Sequence, residues 1–272
     1  MESNIAEKIL DLAMKKVDSA EVIYEEGESR SINFENNKLK SVHTKSIRGI
    51  GLRVIQEGKI GFSSTTDFRK PEKVVWNAIE SAKFGQKAHF EFQPKIQCRD
   101  VKLYDEHVAS YPIEKGIQIG KEAIEKVLAA NPNYDCGFGI SKGVGKGRLM
   151  SSNGLDVWTQ TTAIGIGIDI LLVRDNGLLS VNEGESSTKL IEDIDRHTVK
   201  ALHSLKLAEK EFKIATGGYP VVFTSKAIGT LLSTFESGCN GKLVQKGASP
   251  LTDRLGEKII DERITIYDDP TI

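Results

Sequence analysis

Apolar positions recur along the chain first at a helical period and then at a strand period. Ile5, Ile9, Leu12 and Ala13 fall on one face of a helix over residues 3–16, with Ser3 or Asn4 placed to cap it. Strand-like segments follow at Ala20–Glu25, Ser31–Glu35, Leu39–Thr44, Ile47–Ile55 and Ile60–Ser64. Asn36-Asn37 and Glu57-Gly58 punctuate them, which predicts an antiparallel meander. Ile50, Leu52 and Val54 alternate with Gly51 and Arg53, the period of a half-buried strand. Pro71 stands where a first helical turn would begin, and Val74, Val75, Ala78, Ile79 and Ala82 carry that helix.

The same plan then repeats. Pro112 opens a helix with Ile113, Ile117, Gly120, Ile124, Val127 and Leu128 on its buried face. Strands are predicted at Tyr134–Ser141, Arg148–Ser152 and Leu155–Ile170, the last two flanking the hairpin signal Asn153-Gly154. Leu171–Val181 continues the meander, and a helix follows at about 189–207. At an offset of 116 residues, Asn37 matches Asn153, Leu39 matches Leu155, Gly49-Ile50-Gly51 matches Gly165-Ile166-Gly167, and Gly61 matches Gly177. These matches predict a duplication, two helix–meander–helix units sharing one sheet system.

The character changes at Ala215-Thr216-Gly217-Gly218, a linker-like break, so the domains expected are 1–214 and 215–272. Beyond it, Tyr219–Thr224 reads as a short apolar strand. Ser225 is placed to cap a helix bearing Ile228, Leu231, Leu232 and Phe235, with Gly238 as its stop. Part of Lys258–Tyr267 alternates like a strand, and the sequence closes on Asp268-Asp269-Pro270-Thr271-Ile272. The fold class expected is α+β: helices on antiparallel meanders, followed by the start of a mainly-β domain.

Charge narrows the partners. Thirty-seven basic residues against 38 acidic ones leave no net field to draw nucleic acid or an anionic membrane. No apolar run approaches the ~18–20 residues of a membrane span. The N-terminal sequence lacks the basic-then-apolar order of a signal peptide. Cys98, Cys136 and Cys239 are odd in number and form no C-x-x-C pair, which reads as a reducing, cytoplasmic compartment with packing cysteines.

Candidate chemistry is sparse. Gly137, Gly139, Gly143, Gly145 and Gly147 invite a phosphate-loop reading, but Gly147 follows Gly145-Lys146 where a P-loop needs Ser or Thr. The cluster leads into a strand, so these read as loop or strand-edge glycines. Of the five histidines, His43, His89 and His107 lie in polar surroundings. His197 and His203 share a helix but stand roughly 120° apart around its axis. All five read as surface residues. No serine stands in G-x-S-x-G, and the acidic residues form no dyad. No residue is assigned a catalytic or metal-binding role.

Ala20-Glu21-Val22, Ile32 through Leu39, Gly49-Ile50-Gly51-Leu52-Arg53-Val54 and Gly61-Phe62-Ser63-Ser64-Thr65 together resemble the N-terminal domain of the TldD/PmbA family. Tyr219-Pro220-Val221-Val222-Phe223, Gly247-Ala248-Ser249, Leu255-Gly256-Glu257-Lys258-Ile259 and Ile264 through Pro270 resemble the opening of its C-terminal domain. The resemblance implies a two-subunit metallopeptidase system. One subunit type carries His-Glu-x-x-x-His on the helix after the Pro-Val-Val segment, its histidines holding metal and its glutamate activating water. The other, PmbA/TldE-like type lacks that motif. Here the matching window is Leu231 through Cys239; it keeps Glu236 and Cys239, and no histidine follows His203. The resemblance therefore implies a PmbA/TldE-like chain without zinc of its own, partnered by a TldD-like, metal-bearing homologue in proteolysis of peptides or small proteins. Family members also continue beyond the Asp-Asp-Pro turn, which implies a shortened C-terminal domain. The alternatives are a metallopeptidase using Glu236, Cys239 and a distant histidine, or a binding or regulatory remnant.

Overall fold

The computed structural model describes residues 4–175 and 177–269. The chain divides into two compact units, Met1–Glu211 and Phe212–Ile272.

The first unit is built on one six-stranded antiparallel sheet. Its strands are β1 (Ser19–Glu35), β2 (Lys38–Gln56), β3 (Lys59–Thr65), β4 (Tyr134–Ser151), β5 (Asp156–Arg174) and β6 (Gly177–Ser187), in the order β3-β2-β1-β4-β5-β6. Around it lie α1 (Asn4–Met14), α2 (Pro71–Ala82), α3 (Glu106–Ala109), α4 (Ile113–Ala130) and α5 (Asp195–Ala208). Pro71 opens α2 as predicted, where its missing N–H costs no helical bond. Of the two expected caps of α1, Ser3 lies outside the described residues and Asn4 is the first helical residue.

Segments that read as separate strands are continuous. Ala20–Glu25 and Ser31–Glu35 join in β1, and Leu39–Thr44 and Ile47–Ile55 join in β2. Tight turns then reverse the chain. Asn36 and Asn37 have φ of 50° and 62°, and Glu57 and Gly58 have 52° and 72°, the two positive φ values a type I′ hairpin needs. In the second half, the β5–β6 hairpin closes between Arg174 and Gly177, inside the segment Leu171–Val181 expected to continue the meander.

The duplication holds in the register. Val22 faces Leu52 and Ile23 faces Gly51; 116 residues on, Phe138 faces Ile168 and Gly139 faces Gly167. The third strands depart from it. Ile50 faces Thr65 whereas Ile166 faces Glu185, so β3 and β6 correspond at an offset of 120. Gly61 therefore has Val181 as its counterpart. Gly177 sits at the hairpin end with φ of 148° and matches Gly61 only in sequence.

Helices cover one sheet face. Ala20, Val22, Tyr24, Leu52 and Val54 pack with Ile9 of α1 and Val75 of α2 in one core. Ile32, Phe34, Phe138, Ile140, Ile168 and Ile170 pack with Ile124 and Val127 of α4 and Leu205 of α5 in another. Both cores use the even-numbered residues of β1, so both lie on the same side. Between them Glu26, Glu28 and Arg30 occupy that face without helical cover.

The second unit holds α6 (Ser225–Gly238) and α7 (Gly241–Gln245), with no strand among its described residues. Tyr219–Thr224, expected as a strand, and Lys258–Tyr267, expected to be strand-like in part, are irregular. A strand persists only beside a hydrogen-bonded neighbour, and neither segment has one among the described residues. Pro270, Thr271 and Ile272 lie outside the described residues.

Candidate functional site

The window corresponding to a metal-binding helix lies on α6. Thr224 caps it rather than Ser225, its hydroxyl accepting from the Ala227 N–H at 3.3 Å. Gly238 ends the helix, and its carbonyl accepts from Ser249 Oγ at 2.5 Å. Glu236 and Cys239 are both exposed. A metalloprotease zinc is usually held by two imidazoles and a third ligand fixed by surrounding structure. One carboxylate and one thiol on an open surface do not fit that set. Among the described residues, no three or more His, Cys, Asp or Glu side chains gather as a metal-binding group.

His43, His89, His107 and His203 are exposed. His197 departs from the surface position expected of it. It turns inward from α5, with Nε2 3.0 Å from Glu185 Oε2 on β6 and with a buried Nδ1 that meets no partner. Arg196 also bonds Glu185, and the hydrogen bonds from Arg196, the larger contributor, and from His197 hold the Glu185 carboxyl below the usual carboxylate range. The ion cluster ties β6 to α5, and the sequence could not announce it because Glu185 reaches His197 only through the fold.

The glycine cluster is neither loop nor strand edge. Gly137, Gly139, Gly143, Gly145 and Gly147 all lie on β4, an inner strand between β1 and β5. Their odd numbering puts them together on the face away from the helices. Gly27 faces Gly145, Gly167 faces Gly139, and Gly184 faces Gly167, so the side-chain-poor floor crosses four strands. A cavity of about 430 Å³ lies on it beside Glu25, Ser29, Lys45 and Thr161. Another, of about 630 Å³, is lined by Ser31, Asn33, Ser141 and Ser186. Hydroxyls of Ser29, Ser31, Ser141, Thr161 and Ser186 and the charged groups of Glu25 and Lys45 stand among apolar and glycine surface here. Among the described residues, no hydrogen-bonded nucleophile–base pair lies on this surface.

A duplicated α+β sheet unit, joined in sequence to a helix whose metal-ligand window lacks histidine, defines the class. The description of PmbA/TldA metallopeptidase domain 1 matches residues 20–82, and that of the PmbA/TldA metallopeptidase C-terminal domain matches residues 216–272. Both segments are thus similar to domains of the PmbA/TldD family.

Its relatives include an uncharacterized protein of Methanocaldococcus jannaschii, MJ0231, 28% identical over 98% of this chain and 62% of the relative. A metalloprotease PmbA homolog of Haemophilus influenzae is 22% identical over 96% of this chain and 60% of the relative. Among solved structures, a candidate modulator of DNA gyrase from Bacteroides thetaiotaomicron superposes with a TM-score of 0.89 at 24% identity, covering 99% of this chain and 64% of that one. TldE from Thermococcus kodakarensis superposes with a TM-score of 0.83 at 17% identity, covering 93% and 59%. The chain thus spans about three-fifths of the length of the relatives it matches. None of the helices among the described residues is long and apolar enough to cross a membrane.

Proposed function

We propose that this chain acts as a non-catalytic, PmbA/TldE-like subunit of a cytoplasmic TldD/PmbA-type metallopeptidase complex. A TldD-like partner supplies the metal, and the complex cleaves peptides or small proteins. The observation that carries the proposal is the α6 window, which retains Glu236 and Cys239 and no histidine. An exposed carboxylate without imidazole neighbours can neither hold zinc firmly nor present a metal-bound water to a peptide bond.

The test is reconstitution. The chain is co-expressed with a His-Glu-x-x-x-His-bearing homologue and assayed for peptide release alone and in the mixture. Stable co-purification is expected, with chelator-sensitive release in the mixture and none from this chain alone. Peptide release by this chain alone, with stoichiometric zinc lost on Glu236→Ala, would overturn the proposal and establish the atypical-ligand reading.

A further inference from the structure

The two halves of the sheet differ at one edge. β3 pairs with β2 only from Ile50 to Gln56, so the stretch Lys38–Ile47 extends beyond it. Among the described residues, no backbone bond reaches the outer side of that stretch. Nine of its ten residues are exposed, with Leu39 at 42%, Val42 at 46% and Ile47 at 54%. Its counterpart in the second half, 116 residues on, is residues 154–163 of the β4–β5 connection and β5. There the chain covers its own edge. Lys95 N–H donates to Asn153 O at 3.3 Å, Pro94 bridges to Gly154, and Thr162 N–H donates to Leu103 O at 2.8 Å. An extended segment therefore lies along this edge in one half and is missing from the other.

We propose that the outer edge of β2, Lys38–Ile47, is a strand-addition site for an extended acidic segment of a partner polypeptide. The backbone supplies the geometry. Thr162 directs its N–H outward to Leu103, and the shared register gives Ser46, and Thr44 two residues away, the same outward direction. An incoming strand would complete that ladder, and alternate side chains would set its specificity. The charge selects the occupant. Lys38, Lys40, His43 and Lys45 line the stretch, and it contains no carboxylate. The nearby β1 carboxylates are engaged, Glu35 by Lys40 at 2.5 Å and Glu28 by Arg30 at 2.8 Å. Among the described residues, Lys38 and Lys45 form no ion pair. A second copy of the same edge would set lysine against lysine, which disfavours self-pairing.

The site does not depend on the subunit role proposed above, so the full chain alone is the reagent. Fluorescence anisotropy would follow a labelled ten-residue peptide alternating glutamate and valine. A lysine–valine peptide and the acidic peptide N-methylated at alternate residues serve as comparisons. Saturable binding of the acidic peptide is expected, weakened several-fold by raised salt and at least tenfold by N-methylation. The lysine–valine peptide should not bind. Lys38→Glu with Lys45→Glu should weaken binding at least tenfold while leaving circular dichroism and thermal unfolding unchanged. Thr44→Pro, which removes one outward N–H, should do the same. Equal binding of the N-methylated peptide would reduce the site to a charge patch. That result, unchanged binding by the double variant, or no saturable binding would overturn the proposal and leave the lysines as guards against edge pairing.

Discussion

Glu28 and Val144 face each other in the β1–β4 ladder, and they stand 116 residues apart, the spacing of the duplication itself. The local twofold therefore passes between them, and the halves are exchanged about the middle of the central strand pair. Each half brings its own helices to the same sheet face, which is why two cores form rather than one. The polar waist at the axis lies beyond the reach of either pair. Departures from this symmetry are the informative positions, because similar residues there meet different surroundings.

Glycine substitutions should separate those surroundings. A Cβ on Gly61 would stand 2.1 Å from the Ala78 carbonyl oxygen and 2.8 Å from Ala82 Cβ, so β3 and α2 touch because Gly61 has no side chain. Gly61→Ala should lower stability by about 1–3 kcal/mol through forced separation of helix and strand. A Cβ on Gly167 meets nothing within 4 Å. Gly167→Ala should leave stability unchanged or raise it by up to about 1 kcal/mol, as the unfolded chain loses freedom. Urea unfolding midpoints at constant slope check both.

Much of the fold was legible because local signals agreed with it. Asn36-Asn37 and Glu57-Gly58 supplied positive φ values, Pro71 supplied a helix start, and the glycine matches announced the duplication. The joined strands were not legible, because Glu26, Glu28 and Arg30 sit where an apolar face should continue. The sheet is uncovered there, so those positions carry no apolar signal. The bare edge of β2 was hidden for a different reason. Whether a strand is inner or outer depends on topology, and β2 and β5 have similar local patterns. The α6 window was readable directly, since ligand identity there is a matter of residue type.

Arg148 should prove the strongest polar clamp of the first unit. Only 8% of its side chain is exposed. Its Nε and Nη2 bond the two oxygens of Asp156 at 2.8 Å each, and Nη2 also bonds Glu7 Oε1 at 2.7 Å, joining β4, β5 and α1. Its guanidinium lies 5.1 Å from the centre of the Trp158 ring. Arg148→Ala should cost about 2–4 kcal/mol, because charged partners lose a bidentate, mostly buried donor. Arg148→Lys should recover part of that, since one ammonium cannot reproduce the planar fork. Urea denaturation of both variants, with Glu7→Ala to separate the α1 contact, reads the difference.

Alkaline stability should depend on Cys136. Burial, aided by the charges of Asp169 and Asp135, pushes its thiol up to about 12 from an ordinary value of 9.0. Above pH 9 the unfolded chain releases this proton while the folded chain keeps it. The folded state then binds more protons, and its stability falls as pH rises from about 9 to about 12. The loss should be about 1 kcal/mol per pH unit over that interval. Unfolding free energies from pH 8 to 11 should therefore slope less steeply in Cys136→Ala than in the parent. In the folded chain, a thiol reagent should modify the exposed Cys98 and Cys239 and spare Cys136 until denaturant is added.

The first hairpin turn should be the most position-sensitive connection. Asn37 sits at φ of 62° and does more than turn the chain. Its N–H donates to Cys136 O at 3.1 Å, its Nδ2 donates to Tyr134 O at 3.1 Å, and its Oδ1 accepts from Cys136 N–H at 2.9 Å. The turn of one half is thereby tied to the opening of β4 in the other. Asn37→Gly keeps the positive φ and the backbone bond but loses both side-chain bonds, so it should cost about 1–2 kcal/mol. Asn37→Ala loses the same bonds and must also hold a Cβ in the left-handed region, which adds roughly 1 kcal/mol more. Asn36, at φ of 50°, makes no such side-chain bonds among the described residues. Asn36→Gly should therefore unfold at the parent midpoint or slightly above it. If Asn37→Gly behaved like Asn36→Gly, the cross-half tie would carry no stability and the turn would matter only for its backbone shape. Thermal or urea unfolding of the three variants side by side decides between them.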